Sequence, residues 1–240
     1  MQVVVLAGGL GTRMRPRTDT MPKALLPVAG RPFAERQVEL LAANGVVDIV
    51  FSIGYLGHMI RDTLGDGSHL GVRIRYVDEG EARRGTGGAV RLFVESGVAE
   101  DDFAVLYGDS YLPIDYAAVW DAYAACGQPA LMTVIRNHGR WDASNAEIGA
   151  DGLVRYGKGA APESGFTCID YGLSVVSADV VVELVPPDAV SDLAGLFTDL
   201  GERGMLAGFE VRERFYEVGS EAGIADLEDM LARPREAHER

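Results

Sequence analysis

The sequence predicts a single α/β domain built on a mixed, mostly parallel sheet with helices on both faces. Three observations carry that expectation. Short β-branched runs alternate with amphipathic stretches through the first 140 residues, at the interval of right-handed βαβ units. The chain has 240 residues, a length that suits one domain, and no internal repeat or low-complexity linker divides it. Hydrophobic residues make up 48% and charged residues 24%, enough to bury a core without disulfides or a structural metal.

Taken in order, "QVVVLA" (2–7), "VVDIVFSI" (46–53), "VRIRYV" (72–77), "FAVLYG" (103–108) and "ALMTVI" (130–135) read as strands. Each crowds Val, Ile, Phe or Tyr into a short run, the residue types that suit a pleated, buried surface. Between them, 32–44, 55–65, 86–96 and 115–126 carry helical spacing; in the first, Phe33, Val38, Leu40 and Leu41 share a face. After residue 140 the rhythm loosens. "AEIGADGLVRYGKG" predicts a hairpin turning at Asp151-Gly152. "TCIDYGLSVVS" reads as a long strand, followed by helices near 178–184 and 190–203. "AGFEVRERFYEVG" offers two short strands, 220–232 a final helix, and "ARPREAHER" a solvated tail.

Charge narrows the partners. Asp and Glu number 36 against 22 Lys and Arg, a formal charge of −14, which argues against nucleic acid or an anionic membrane as main partner. No run of about 18 apolar residues marks a membrane span, and "MQVVVLAGG" lacks the basic start of a signal peptide. Cys126 and Cys168 follow no metal or redox spacing and read as reduced, buried thiols. His58, His69, His138 and His238 have no metal-ligand spacing either. Trp120 and Trp141 read as core and pocket wall. The expectation is a cytoplasmic protein acting on small molecules.

One stretch runs against the acidic background. "LAGGLGTRMRPRTDTMPKALLPVAGRP" (6–32) concentrates Arg13, Arg15, Arg17 and Lys23 beside glycine backbone. It is not the dinucleotide fingerprint, because Met14 stands at the third glycine. Nor is it a P-loop, because Arg13 stands where that motif, counted from Gly8, needs glycine. The loop leaves the carboxyl end of the first strand, where open α/β sheets bind ligands. Free amides and cations together make it an anion site, with Arg15 and Arg17 read as solvated surface.

"GLGTR" (9–13), Pro22-Lys23 and "LLPVAGRP" (25–32) together resemble the opening signature of the sugar-1-phosphate nucleotidyltransferase family. "GTGGA" (85–89), "LYGDS" (106–110), "GLVRYGKG" (152–159) and "FYEVGS" (215–220) extend the likeness over nearly the whole chain. With "IGYLGHMIRDTLGDGSHLGVRIRY" and "IDYGLSV", the sequence is most similar to the D-glycero-α-D-manno-heptose 1-phosphate guanylyltransferases within it. The resemblance implies one Rossmann-like nucleotidyltransferase domain, with 1–140 binding nucleotide and 141–232 elaborating a sugar-phosphate side. The substrates implied are a nucleoside triphosphate and a sugar 1-phosphate, and the cofactor Mg²⁺; a homodimer is open as an assembly.

By the same resemblance Arg13 and Lys23 are catalytic, and Asp109 and Glu217 are the metal ligands. Leu6, Ala7, Gly8, Gly9, Gly11, Thr12, Glu79, Gly85, Thr86, Gly87 and Gly108 are implied to meet the nucleotide. Asn145, Glu147, Lys158, Asp170 and Gly172 are implied to meet the sugar phosphate. The sequence departs from the family at Glu217, where Asp is usual, and at Arg83 and Arg84, where Pro-Leu often stands. GTP is the first expectation for the base. Glu79 and Glu81 offer acceptors, Arg83 and Arg84 offer donors, and the glycines at 85, 87 and 88 are expected to let backbone approach the ring. UTP or dTTP with a hexose, mannose or N-acetylmuramate 1-phosphate are the alternatives, as is a non-catalytic sensor of nucleotide sugars.

Overall fold

The β-branched runs pair side by side, as their alternation with amphipathic stretches requires. The structure is a computed structural model that describes residues 1–80, 82–141, 143–159 and 164–233. In chain order the first half runs β1 (Gln2–Ala7), β2 (Pro27–Val28), β3 (Arg31–Pro32), α1 (Phe33–Ala43), β4 (Asp48–Ile53), α2 (Gly57–Leu64), β5 (Arg73–Asp78), α3 (Gly85–Glu95), β6 (Asp102–Tyr107), β7 (Ser110–Tyr111) and α4 (Tyr116–Cys126). The second half follows with β8 (Ala130–Arg136), β9 (Ala146–Ile148), β10 (Val154–Tyr156), β11 (Cys168–Ser177), α5 (Ala178–Leu184), α6 (Leu193–Glu202), β12 (Leu206–Val211), β13 (Tyr216–Glu217) and α7 (Glu221–Ala232).

The main sheet has the order β10-β9-β11-β6-β1-β4-β5, with β8 pairing β11 and β12 beside that path. β1 lies parallel to both β4 and β6, and β4 parallel to β5. The chain therefore winds outward on one side of β1, then crosses to β6 on the other. The carboxyl ends of β1 and β6 form the topological switch point, where an open sheet leaves a crevice. β11 then runs antiparallel to β6 and β8, so the parallel order belongs to the first half and the mixed character to the second.

Alternation along the strands divides the core between the two faces. Val3, Val5, Ile49 and Phe51 point to one face and pack with Val38, Leu41, Ile60 and Val119 of α1, α2 and α4. Val4, Val50, Phe103 and Val105 point to the other and pack with Val90, Phe93, Val181 and Phe197 of α3, α5 and α6. A smaller core of Leu26, Val28, Tyr111, Val218 and Leu227 seats α7 against the short strands β2 and β7. At the amino edge of the sheet, buried Asp48 accepts from Gln2 at 3.0 Å and from Arg75 at 2.8 Å, with Arg73 at 3.1 Å.

The expected hairpin is present: β9 and β10 pair antiparallel across Gly149–Leu153, with Gly152 at φ 79°. Three local differences stand out. β2, β3 and β7 are only two residues each, too short to show a period. α6 starts at Leu193 rather than 190, because Asp192 caps it by accepting from the Ala194 N–H at 3.0 Å. Cys168 is buried as expected but Cys126 is only half-buried, and both thiols are free. Among the described residues no helix is long and apolar enough to cross a membrane. The tail from residue 234, which includes His238, lies outside the described residues, as does Glu81.

Candidate active site

β1 delivers the chain to the switch point, and the glycines there answer to specific neighbours. A Cβ on Gly8 would stand 2.3 Å from Glu79 Oε1, and one on Gly108 would stand 2.5 Å from the Leu6 carbonyl oxygen. Only glycine lets Glu79 lie over the loop and lets the end of β6 close against β1, where the Gly108 N–H donates to Leu6 O at 2.9 Å. Gly11 has φ 61°, and its carbonyl accepts from Thr18 Oγ1 at 2.8 Å, which folds Thr12–Met14 into a single 3₁₀ turn. Between the β1 loop, the end of β6 and the start of α3 lies a cleft of about 940 Å³. Leu6, Ala7, Gly8, Gly9, Gly11 and Thr12 line it, and so do Arg13, Lys23, Glu79, Gly85, Thr86, Gly108 and Asp109. Arg13 is exposed at this cleft and makes no ion pair among the described residues.

Asp109 and Lys23 line this cleft, and Glu217, which lines a neighbouring cavity, stands close to them. Asp109 stands in the tight turn between β6 and β7, and its carbonyl accepts from the Val218 N–H at 2.9 Å. β13 pairs with β7 so that Glu217 lies opposite Ser110, one residue from Asp109. Lys23 Nζ donates to Asp109 Oδ2 at 2.5 Å. A Cβ on Gly219 would lie 3.1 Å from Glu217 Oε1 and 3.4 Å from Lys23 Nζ, so the Glu217 carboxylate lies near the Lys23–Asp109 pair. The Lys23 side chain, paired with Asp109, is only 14% exposed. The donor set suits magnesium: the hard carboxylate oxygens of Asp109, which lines the cleft, and of nearby Glu217. Among the described residues no group of three or more His, Cys, Asp and Glu converges to suggest a softer or fully protein-bound metal.

At the mouth of the cleft the structure supplies a different reason for the glycines that open α3. A Cβ on Gly85 would stand 2.2 Å from Ser191 O, one on Gly87 2.7 Å from Ser191 Oγ, and one on Gly88 2.8 Å from Ala189 O. They let segment 189–192 dock on α3, where the Gly87 N–H donates to Ser191 O at 2.9 Å. Gly85 lines the cleft, whereas Gly87 and Gly88 do not. Arg83 lines it without an ion pair among the described residues, whereas Arg84 pairs with Asp188 at 3.2 Å. Glu79 accepts from Ser52 Oγ at 3.0 Å, and burial pushes its carboxyl above the usual range.

None of the five residues expected at the sugar phosphate lines that cleft. Asn145 and Asp170 come together, with Asn145 Oδ1 accepting from the Asp170 N–H at 2.8 Å. Asp170 Oδ1 accepts from the Gly172 N–H at 2.9 Å, inside a slip of register between β11 and β8 that Gly172 permits with φ 104°. Burial pushes the Asp170 carboxyl up to about 6. Glu147 is committed to Thr167, accepting from its N–H at 3.0 Å and its hydroxyl at 2.5 Å. Lys158 pairs with Asp192 at 2.5 Å, and through that carboxylate it reaches Thr86 at the cleft. A second cavity of about 320 Å³ adjoins Glu217 and is walled by Trp141 and Phe215, whose rings lie 5.4 Å apart.

The sequence of residues 2–143 matches the family described as nucleotidyl transferase. The chain belongs to that family. Over 120 residues it is 39% identical to the N-acetylmuramate alpha-1-phosphate uridylyltransferase of Neisseria meningitidis serogroup B, covering 50% of this chain and 52% of that one. Over 115 residues it is 33% identical to the D-glycero-alpha-D-manno-heptose 1-phosphate guanylyltransferase of Campylobacter jejuni, covering 48% of this chain and 50% of that one. The chain thus spans about half the length of these curated relatives. The crystal structure of HddC from Yersinia pseudotuberculosis complexed with GMP-PN shares the fold, with a TM-score of 0.78 at 24% identity over 96% of this chain and 99% of that one.

Three residues that position the site were not anticipated. Gln37, buried on α1, donates to Tyr107 O at 3.0 Å and Ser110 O at 2.7 Å, clamping the turn that carries Asp109. Ser52 holds Glu79, and Asp192 joins Thr86 to Lys158. Each left a signal: a polar residue on the apolar face of a helix, a serine inside an apolar strand, and an aspartate just before the apolar run "LAGLF".

Proposed function

We propose that this nucleotidyl transferase is catalytic: it joins a nucleoside triphosphate to a sugar 1-phosphate, releasing pyrophosphate, with Mg²⁺ and with GTP and a heptose 1-phosphate as the preferred pair. The supporting observation is the pairing of Lys23 with Asp109 in the cleft beside the glycine loop, with Glu217 brought near them by the pairing of β13 with β7. An acidic protein needs the free amides of that loop, the cations Arg13 and Lys23, and the divalent ion the two acids would hold, to assemble two polyanions.

The backbone N–H groups from Gly8 to Thr12 bind the triphosphate, and Arg13 forks onto its oxygens. Lys23 meets the α-phosphate. Asp109 and Glu217 would hold magnesium, which when bound neutralises phosphate charge and fixes its oxygens. An oxygen of the acceptor phosphate bonds to the α-phosphorus while the bond to the bridging oxygen breaks, and pyrophosphate leaves with that electron pair. The acceptor phosphate is already ionised at neutral pH, so no side chain needs to take a proton, and positioning with charge stabilisation suffices.

Guanine is supported by two groups at the cleft. Ser52 engages Glu79 Oε1, leaving Oε2 to accept from ring N–H donors, and Arg83 is free to donate to O6 and N7. The two relatives named above divide between uridylyl and guanylyl transfer, so the base choice rests on these side chains. The proposed setting is the cytoplasm, where nucleoside triphosphates and reduced thiols such as Cys126 and Cys168 are kept.

The test is pyrophosphate release with GTP, ATP, CTP, UTP and dTTP against heptose, mannose, glucose and N-acetylmuramate 1-phosphates, with and without Mg²⁺. Release dependent on Mg²⁺ and fastest with GTP is expected. No release with any pair overturns catalysis. GTP trailing another triphosphate by tenfold in kcat/KM, about 1.4 kcal/mol, overturns the guanylyl assignment alone.

A further inference from the structure

We propose that Asp192 is a stand-in anion for the acceptor phosphate: it holds Lys158 at the rim of the nucleotide cleft until the sugar 1-phosphate exchanges for it. This rests on Lys158 being the sugar-phosphate lysine. The two oxygens of the Asp192 carboxylate have different duties. Oδ1 accepts from the Ala194 N–H at 3.0 Å, capping α6, and from Thr86 Oγ1 at 3.0 Å. The Thr86 hydroxyl oxygen in turn accepts from the Leu193 N–H at 2.9 Å, so its proton must point at Asp192. That oxygen is locked by two donors to two helix starts.

Among the described residues Oδ2 serves only Lys158, at 2.5 Å. Both side chains of this pair are open to water, 64% exposed for Lys158 and 50% for Asp192, and such pairs are weak. Lys158 sits between Gly157 and Gly159 on a long flexible stem, so its ammonium can swing while the carboxylate stays. A phosphate dianion carries more charge and more acceptor oxygens than one carboxylate oxygen, so it wins the exchange. Because Thr86 lines the nucleotide cleft, the lysine waits one carboxylate away from the triphosphate site.

Asp192→Asn separates the duties, because asparagine keeps an oxygen to cap α6 and accept from Thr86 but loses the charge that holds Lys158. The experiment compares wild type, Asp192→Asn, Lys158→Ala and the double variant. It measures Tm, KM for GTP, KM for whichever sugar 1-phosphate turns over best, and Ki for inorganic phosphate competing with that acceptor. Asp192→Asn should lower the acceptor KM and the phosphate Ki by about threefold, the scale of an exposed ion pair, with Tm and the GTP KM unchanged. Lys158→Ala should raise the acceptor KM by about tenfold, and in its background Asp192→Asn should have no effect. An acceptor KM that stays or rises in Asp192→Asn, or falls equally without Lys158, overturns the exchange while leaving the role of Lys158 standing. An unchanged acceptor KM in Lys158→Ala removes Lys158 from the sugar phosphate and the exchange with it.

Discussion

Arg13 and Lys23 carry the same kind of charge in different settings, and their variants should separate. Arg13 is exposed and makes no ion pair among the described residues, so Arg13→Ala should lower kcat by about 10²-fold with Tm unchanged. Lys23 is the cation beside Asp109, so Lys23→Ala should lose a similar factor in kcat and about 1–2 kcal/mol of stability besides. Steady-state kinetics and urea unfolding of both variants check this, and a folded variant losing less than about tenfold in kcat would remove that side chain from catalysis. Asp109→Asn should abolish the Mg²⁺-dependent activity, read by titrating Mg²⁺ against rate; wild-type metal dependence in that variant would place the ligand elsewhere. Asp170 gives a pH signature. Burial raises its carboxyl in the folded chain to about 6 from an ordinary 3.8, so the native state holds the proton more tightly than the unfolded state. Stability contributed by Asp170 is present below about pH 4 and is lost as pH rises toward 6. Asp170→Asn keeps an acceptor for the Gly172 N–H, so its Tm relative to wild type should be higher at pH 7.5 than at pH 4, and equal differences at both would contradict the burial argument.

At the scale of elements, the start of α3 is where sequence pattern and packing part company. A run of glycines beside a cleft invites the idea that backbone must approach a ligand. Here Gly85, Gly87 and Gly88 are small because segment 189–192 crosses them. Gly85→Ala would bring a Cβ within 2.2 Å of Ser191 O at a φ of 70°, and should cost about 2–4 kcal/mol. Gly97, past the other end of α3, has a similar φ of 72° but open space around it, so Gly97→Ala should cost only about 1 kcal/mol. Chemical denaturation of the pair isolates the contact with Ser191 from backbone strain; equal losses would show that the contact contributes nothing. Gln37 shows the converse. One buried amide on α1 spans β6 and β7, so a helix far along the chain from Asp109 sets the position of its turn.

The whole molecule separates its stabilising charges from its working ones. Asp48, with Gln2, Arg73 and Arg75, binds β1, β4 and β5 at the amino edge of the sheet, away from the cleft. Burial opposes ionisation of Asp48, but the hydrogen bonds from Gln2, Arg75 and Arg73 outweigh it and hold the carboxyl below its ordinary 3.8. Its stabilisation is therefore complete above about pH 4 and is lost as pH falls through the lower folded value. Asp48→Asn should cost about 2 kcal/mol at pH 7, less at pH 3, and leave kcat unchanged; a loss of kcat in a fully folded variant would show that the two edges communicate. Much of this architecture was legible in the chain itself. Strand positions, the hairpin at Asp151-Gly152, the glycine-and-cation loop and the candidate acid at the end of β6 are local patterns, because burial on a strand or helix imposes its period on neighbouring residues. The meeting of Lys23 with Asp109, 86 positions apart, and of Lys158 with Asp192 and Thr86, was decided only in three dimensions. Those contacts depend on strand order, on β1 lying between β4 and β6 and on β13 pairing with β7, and periodicity along a chain carries no record of which strands become neighbours.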